Sequence, residues 1–306
     1  MPGMSMKSEQ INPEHANRLV LYYLLISIAI GLAGSFINHL VNATNTDIPY
    51  LISLIVLSCF IFWLAGISRQ HTPASLGFRG FSWTSTLSLY CWLIIVGEGI
   101  TAFVLAWFPE PMVEVLLKAF TPETRLSWFL FITMATVLAP IGEEIVFRGF
   151  ILNSYASCVG TSRAIWLSAI LFGLAHHSPP HVLAAFFSGL VFARYLMAGG
   201  SLWSTMAAHA MVNFTSTLMM HFNHSPLAFP QHEASAMGGI LGLGIAIIAT
   251  ALFFHHHPVI SQQKPERVQH TVISTSLIIY LLITLSLATL SVFSTLSQSP
   301  VAIPAH

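Results

Sequence analysis

Nine stretches of roughly membrane-crossing length, nearly free of charge, follow one another along this chain, and that recurrence constrains its fold more than any other feature. They run over 19–42, 49–68, 83–107, 127–154, 162–177, 182–198, 201–222, 236–254 and 271–294. A bilayer core takes about 20 apolar residues per helix. Backbone groups in lipid must be bonded within their own segment or in a closed barrel. The alternating pattern of barrel strands is absent, so the expectation is an all-α, polytopic membrane helix bundle of about nine transmembrane helices, with eight as the alternative count. Only 7% of the residues are charged, against about 25% in a soluble domain. A lipid-facing surface is the simplest reason. The net charge is zero and no block of Lys or Arg forms a nucleic-acid footprint, which argues against DNA or RNA as a partner. Cys59, Cys91 and Cys158 show no paired spacing, so neither a disulfide framework nor a thiolate zinc site is expected.

The apolar stretch from Leu19 to Val41 exceeds a typical signal-peptide core, which favours an uncleaved anchor. Basic residues orient the spans. With the N-terminus cytoplasmic, Lys7, Arg18, Arg69, Arg79, Arg163, Arg194, Lys264 and Arg267 fall on or near the inner side, while Lys118 and Arg125 lie outside. The chain divides into an N-terminal tail with three spans (1–126), a helical core (127–222) and two C-terminal spans (223–306). No internal repeat of the kind that builds many transporters is evident.

Ionisable side chains inside spans are costly and are functional candidates by default. In "IGEEIVFRGF" (141–150), Glu144 and Arg148 lie four apart and share a helix face. They can pair, and on one reading the pair only fixes packing. That leaves Glu143 without a partner in its own helix, a setting suited to a general acid or base. Pro140 and Gly142 just upstream are expected to loosen the helix. Phe172 and His176 are again four apart, as are His209 and Asn213. Imidazole and amide together supply the donors that a developing oxyanion requires, although they also serve as glue between helices. One shared polar cavity would satisfy all three clusters.

EExxxR at Glu143-Glu144-Arg148, FxxxH at Phe172-His176 and HxxxN at His209-Asn213, in this order, resemble the motifs of the CPBP family. These are the CAAX-processing and bacteriocin-processing intramembrane proteases, also called Abi. "GSLWSTMAAHAMVNF" (200–214) resembles the family's approach to its second histidine motif. The similarity covers about 130–215. It implies an endopeptidase acting on a membrane-associated protein or peptide. By that resemblance Glu143 with His176 would activate water, His209 and Asn213 would hold the oxyanion, and Glu144, Arg148 and Phe172 would support the site. It further implies a multi-pass protein of the lipid bilayer, with a bacterial inner membrane as the expected location. Zinc would take Glu143, His176 and His209. The HExxH helix of common zinc proteases is missing, since His232-Glu233 has no second His at the required place. A metal-free reaction with no cofactor is therefore favoured.

Two other classes compete: a proton-coupled transporter using the Glu/His/Arg cluster, and a non-catalytic immunity or scaffold protein. Other polar features are given bland readings. His255-His256-His257, and likewise His221, His224 and His232, are taken as interfacial. Glu98 is a lone buried acid expected to line the cavity or pair with an arginine, Gly238 and Gly242 a small-xxx-small packing pair, and Asn42-Ala43-Thr44 a sequon with meaning only outside bacteria.

Overall fold

The computed structural model describes residues 11–40, 47–119, 122–222, 235–259 and 272–298. The sequon at Asn42, together with His224 and His232, lies outside them. Among the described residues all regular structure is helical. We number the helices α1 (Pro13–Leu40), α2 (Asp47–Ser68), α3 (Trp83–Trp107), α4 (Glu110–Ala119), α5 (Arg125–Val159), α6 (Thr161–Leu174), α7 (Pro179–Met197), α8 (Leu202–His221), α9 (Ala236–His256) and α10 (Thr275–Gln298).

A helix stands at each of the nine expected spans, but seven are long and apolar enough to cross a membrane: α1, α2, α3, α5, α7, α9 and α10. The two differences have separate causes. Helix α6 has 14 residues, about 21 Å at 1.5 Å per residue, which falls short of a hydrocarbon core of about 30 Å. Helix α8 has 20 residues, and its apolar content is lowered by Ser204, Thr205, His209, Asn213 and Thr217. The short helix α4, at whose start Glu110 and Pro111 sit, has no counterpart among the expected spans. Large apolar side chains face outward along the crossing helices, among them Leu32, Ile55, Phe62, Ile248, Leu282 and Phe293. Such a surface suits hydrocarbon and not water.

Local chemistry sets the helix ends. Thr124 caps α5, its hydroxyl accepting from Ser127 N at 3.0 Å, and it also bonds Asp47 at the start of α2. That pair ties α5 to α2 and supplies one of the orphan first-turn contacts. Gly160, at φ 85°, is the whole connection between α5 and α6. A positive φ is costly for any residue with a Cβ, so glycine is required there. Helices α6 and α7 then form a close hairpin. A Cβ at Gly189 would lie 3.1 Å from the Ala169 Cα, and one at Gly173 would lie 3.0 Å from the Val182 carbonyl oxygen.

Two apolar clusters fill the bundle. One gathers α1, α2, α5 and α6, with Tyr280 of α10. The other gathers α3, α7, α8 and α9. At one end of the first cluster, Asn17 of α1 donates to Val272 O at 2.8 Å and accepts from the Tyr155 hydroxyl at 2.5 Å, so α1 is locked to both α5 and the start of the last helix.

Helices α3 and α9 make the tightest crossing, and it runs on glycine. A Cβ at Gly242 would sit 2.7 Å from both Ala102 Cβ and Gly99 O, and one at Gly239 would sit 2.5 Å from Ala106 Cβ. Gly238, expected from spacing to share this contact, meets only the Ser235 hydroxyl at 3.2 Å. Gly242 therefore packs as expected, and its partner in the crossing is Gly239 in place of Gly238. Gly242→Ala is expected to destabilise the bundle by about 1–3 kcal/mol through overpacking. Gly238→Ala should be near neutral. Thermal unfolding of both variants in one detergent distinguishes them.

Candidate active site

Helix α5 carries the two glutamates and the arginine, and it is not a uniform α-helix. Two π-helical stretches, Met134–Leu138 and Glu144–Leu152, flank a five-residue α segment, Ala139–Glu143. In a π turn the backbone bonds run from i to i+5, the turn widens, and such turns concentrate at functional sites. Pro140 has no N–H to give to the carbonyl of residue 136. The loosening expected around Pro140 and Gly142 therefore occurs on either side of them, while they themselves sit in the regular segment. Side chains collect carbonyls along the widened helix. Asn213 of α8 donates to Ala135 O at 2.8 Å, and Ser168 of α6 to Phe147 O at 2.9 Å. Asn153 donates to Arg148 O and Gly149 O at 2.8 and 2.9 Å.

The acidic pair is buried. Glu143 is 6% exposed, and Glu144 and Arg148 are 0% exposed. Arg148 Nη1 lies 3.2 Å from Glu144 Oε1. Its guanidinium also sits 4.0 Å from the centre of the Phe172 ring and 5.0 Å from that of Phe192. One carboxylate and two aromatic faces thus answer the buried cation.

His209 of α8 stands between the two glutamates. Its Nδ1 is 3.0 Å from Glu144 Oε1, a hydrogen bond. Its Nε2 is 3.7 Å from Glu143 Oε2, too long for one. Oxygen Oε1 of Glu144 is therefore shared by Arg148 and His209, while Oε2 of Glu143 stays open toward the imidazole. The other oxygen of Glu143 accepts from the Tyr23 hydroxyl of α1 at 2.6 Å. Nothing in the spacing of the motifs pointed to Tyr23. It is one aromatic residue in an apolar helix, and only its position in space distinguishes it.

His176 lies past the end of α6, in the turn before α7, and not on a helix face as the FxxxH spacing suggests. Its Nδ1 is 2.9 Å from Phe172 O, so the four-residue spacing survives as a bond from the ring to the last turn of the helix. His177 follows with φ 56°, the left-handed conformation that commonly ends a helix. Pro179 and Pro180 then open α7, where the missing proline N–H groups are no loss. The His181 ring packs against that of His176 with centroids 4.3 Å apart. Phe172 is the hub of the cluster, edge-on to His176 at 5.0 Å and to His209 at 5.9 Å.

These groups line one cavity of about 390 Å³. Glu143, His176, His181, His209 and Asn213 supply its polar side, and Glu98 and Thr101 of α3 face the same space. Leu93, Ile94, Ile100, Val104, Val113 and Val212 make the remaining wall apolar. Glu98 is thus a cavity residue, one of the two roles its sequence context left open. Glu144 and Arg148 stand behind the lining.

The zinc alternative can be tested on the donor set. Among the described residues no group of three or more His, Cys, Asp or Glu side chains is arranged to hold a metal ion. Glu143, His176 and His209 do not meet the compact tetrahedral geometry that zinc takes.

Residues 125–215 match the family model described as "Type II CAAX prenyl endopeptidase Rce1-like". That range contains all three polar clusters. The matched segment is thus similar to CAAX endopeptidases over about a third of the chain. A protein described as "Putative membrane peptidase YdiL" from Bacillus subtilis (strain 168) is 29% identical over 90 residues, which cover 29% of this chain and 37% of that protein. The chain therefore matches little more than a third of that relative's length. No solved structure gives a significant match. With seven helices long and apolar enough to cross a membrane and a segment that matches a membrane-endopeptidase model, the chain is a multi-pass integral membrane protein. Tyr23 and the α3 wall of the cavity lie outside the matched segment, whereas Glu144, Arg148, His176, His209 and Asn213 make the bonds described above within it.

Proposed function

We propose that this protein is an intramembrane endopeptidase that hydrolyses a peptide bond of a membrane-associated protein or peptide without a metal ion. The observation that carries this reading is His209 held between the carboxylates of Glu143 and Glu144 at the wall of a largely apolar cavity. The similarity of residues 125–215 to CAAX endopeptidases supports it.

In the proposed reaction Glu143 takes a proton from a water molecule as the water oxygen attacks the scissile carbonyl carbon. The carbonyl oxygen gains the charge, and His209 with Asn213 supplies donors to it. The C–N bond then breaks, and the proton held by Glu143 passes to the leaving nitrogen. His176, on the same cavity, assists in orienting the water. When His209 carries protons on both nitrogens, Glu143 and Glu144 balance Arg148 and His209, and the buried set is neutral. Glu144 fixes the imidazole by its bond to Nδ1, and Arg148 holds Glu144. The apolar wall keeps bulk water away, which strengthens each electrostatic contact. The distribution of basic residues supports a cytoplasmic N-terminus for this reading, and the inner membrane of a bacterium is the location it implies.

The test uses the full chain, purified in lipid nanodiscs and incubated with membrane-proximal peptides, with products followed by mass spectrometry. Wild type is expected to cleave. His176→Ala and His209→Ala are expected to lose cleavage by at least about 10²-fold while remaining folded. A folded wild type that cuts nothing but shows pH-dependent ion flux would move the protein to the transporter class. Prolonged dialysis against EDTA or 1,10-phenanthroline is expected to leave the rate within about twofold. Loss of activity on chelation with recovery on adding Zn²⁺ would overturn the metal-free mechanism.

A further inference from the structure

The phenol that grips Glu143 comes from outside the matched segment. Tyr23 of α1 donates to Oε1 at 2.6 Å, within the short range of a hydrogen bond to a charged oxygen. The ring has little freedom. It stands edge-on to Phe147 of α5, with centroids 5.9 Å apart, and tilted against Phe60 of α2 at 6.0 Å. Side chains of α2 and α5 thus hold the ring of this α1 residue, and its hydroxyl is aimed at one of two chemically equivalent oxygens.

A glutamate carboxylate can rotate, and rotation exchanges its two oxygens. Only Oε2 faces His209 Nε2, at 3.7 Å. We propose that Tyr23 is a positioning residue for the hydrolysis. By bonding Oε1 it holds the Glu143 carboxylate with Oε2 turned to His209 and the cavity, so that one defined oxygen acts as the base. The phenol can still donate, more weakly, to the carbonyl oxygen of a protonated carboxyl group. The proton taken from water therefore rests on Oε2, from which it passes to the leaving nitrogen, and Tyr23 neither gains nor loses a proton in the cycle. This inference rests on the protease reading of the same site, and it makes the first helix part of the catalytic unit.

Tyr23→Phe tests it, because the phenylalanine ring retains the contacts with Phe147 and Phe60 and loses only the hydroxyl. In nanodiscs kcat is expected to fall roughly tenfold to a hundredfold, the range for a lost charge-assisted hydrogen bond. KM is expected to stay within about twofold and the unfolding temperature within a few degrees. A merely structural tyrosine would move the unfolding temperature and leave kcat alone. Infrared difference spectroscopy supplies a readout independent of turnover. The Glu143 carboxyl band, assigned by comparing wild type with Glu143→Gln, is expected to shift in Tyr23→Phe. An unmoved band, or full kcat in Tyr23→Phe while Glu143→Gln is inactive, overturns the inference and leaves the protease reading standing. A wild type that cleaves no peptide overturns both.

Discussion

Glu143→Gln is expected to lower the rate of peptide cleavage by about 10²–10⁴-fold, the share that a positioned general base contributes. The substitution is nearly isosteric. The amide oxygen can still accept from Tyr23, and the side chain still fills its 6% exposed site. What is lost is the ability to take a proton from water. The unfolding temperature should therefore hold while turnover collapses, and this separation distinguishes a base from a packing residue. Initial rates from mass spectrometry, with circular dichroism of the same sample, make the comparison. If Glu143→Gln retained a rate within about tenfold of wild type, the base would have to be sought elsewhere on the cavity wall, with His176 first in line.

Arg148→Met is expected to cost about 3–5 kcal/mol of stability, the range for removing one partner of a buried ion pair. Arg148 is 0% exposed and faces Glu144, which is also 0% exposed. Without the guanidinium, the Glu144 carboxylate remains buried with His209 as its remaining ionisable partner. The stacking of the cation on Phe172 and Phe192 is lost as well. Glu144→Gln in the Arg148→Met background should recover part of the stability, because no unpaired charge is then buried. It should not recover activity, because the carboxylate that fixes His209 Nδ1 is gone. Unfolding of the two single variants and the double variant in one detergent forms a double-mutant cycle. Coupling near zero would show that the pair is not the strut inferred here.

The two substitutions probe different parts of one arrangement. Glu143 presents an oxygen to the cavity, whereas Arg148 acts through Glu144 and then His209, one step removed from any substrate. Activity without a stability change is expected at the first position, and stability followed by activity at the second.

Much of the site could be read before the fold was known, and the reason is locality. A helix brings residues four apart onto one face, so Glu144-Arg148 could be inferred as a pair. Placing residues in one polar cavity followed from the cost of leaving each cluster in lipid. Where the local rule stopped applying, the expectation failed by a small and intelligible amount. The FxxxH spacing was read as a helix face, but α6 stops at Leu174, and the spacing is met by a ring-to-carbonyl bond. Gly238 was read as a packing residue, but the α3–α9 crossing uses Gly239 and Gly242. Pro140 and Gly142 were read as the loosened point, but the π turns form beside them.

The amino-acid order by itself determined that the chain is a bundle of apolar helices in a membrane, and it marked which few polar residues must be sheltered there. Both follow from transfer energies and helical period, which act residue by residue. Only the tertiary structure decided that His209 faces both glutamates, that Tyr23 holds Glu143, that Asn213 reaches Ala135, and that α3 closes the cavity with Glu98 on its wall. Those contacts join helices far apart in the chain. They are set by which helix faces can approach closely and fill space together, a condition on the whole bundle that no single segment contains.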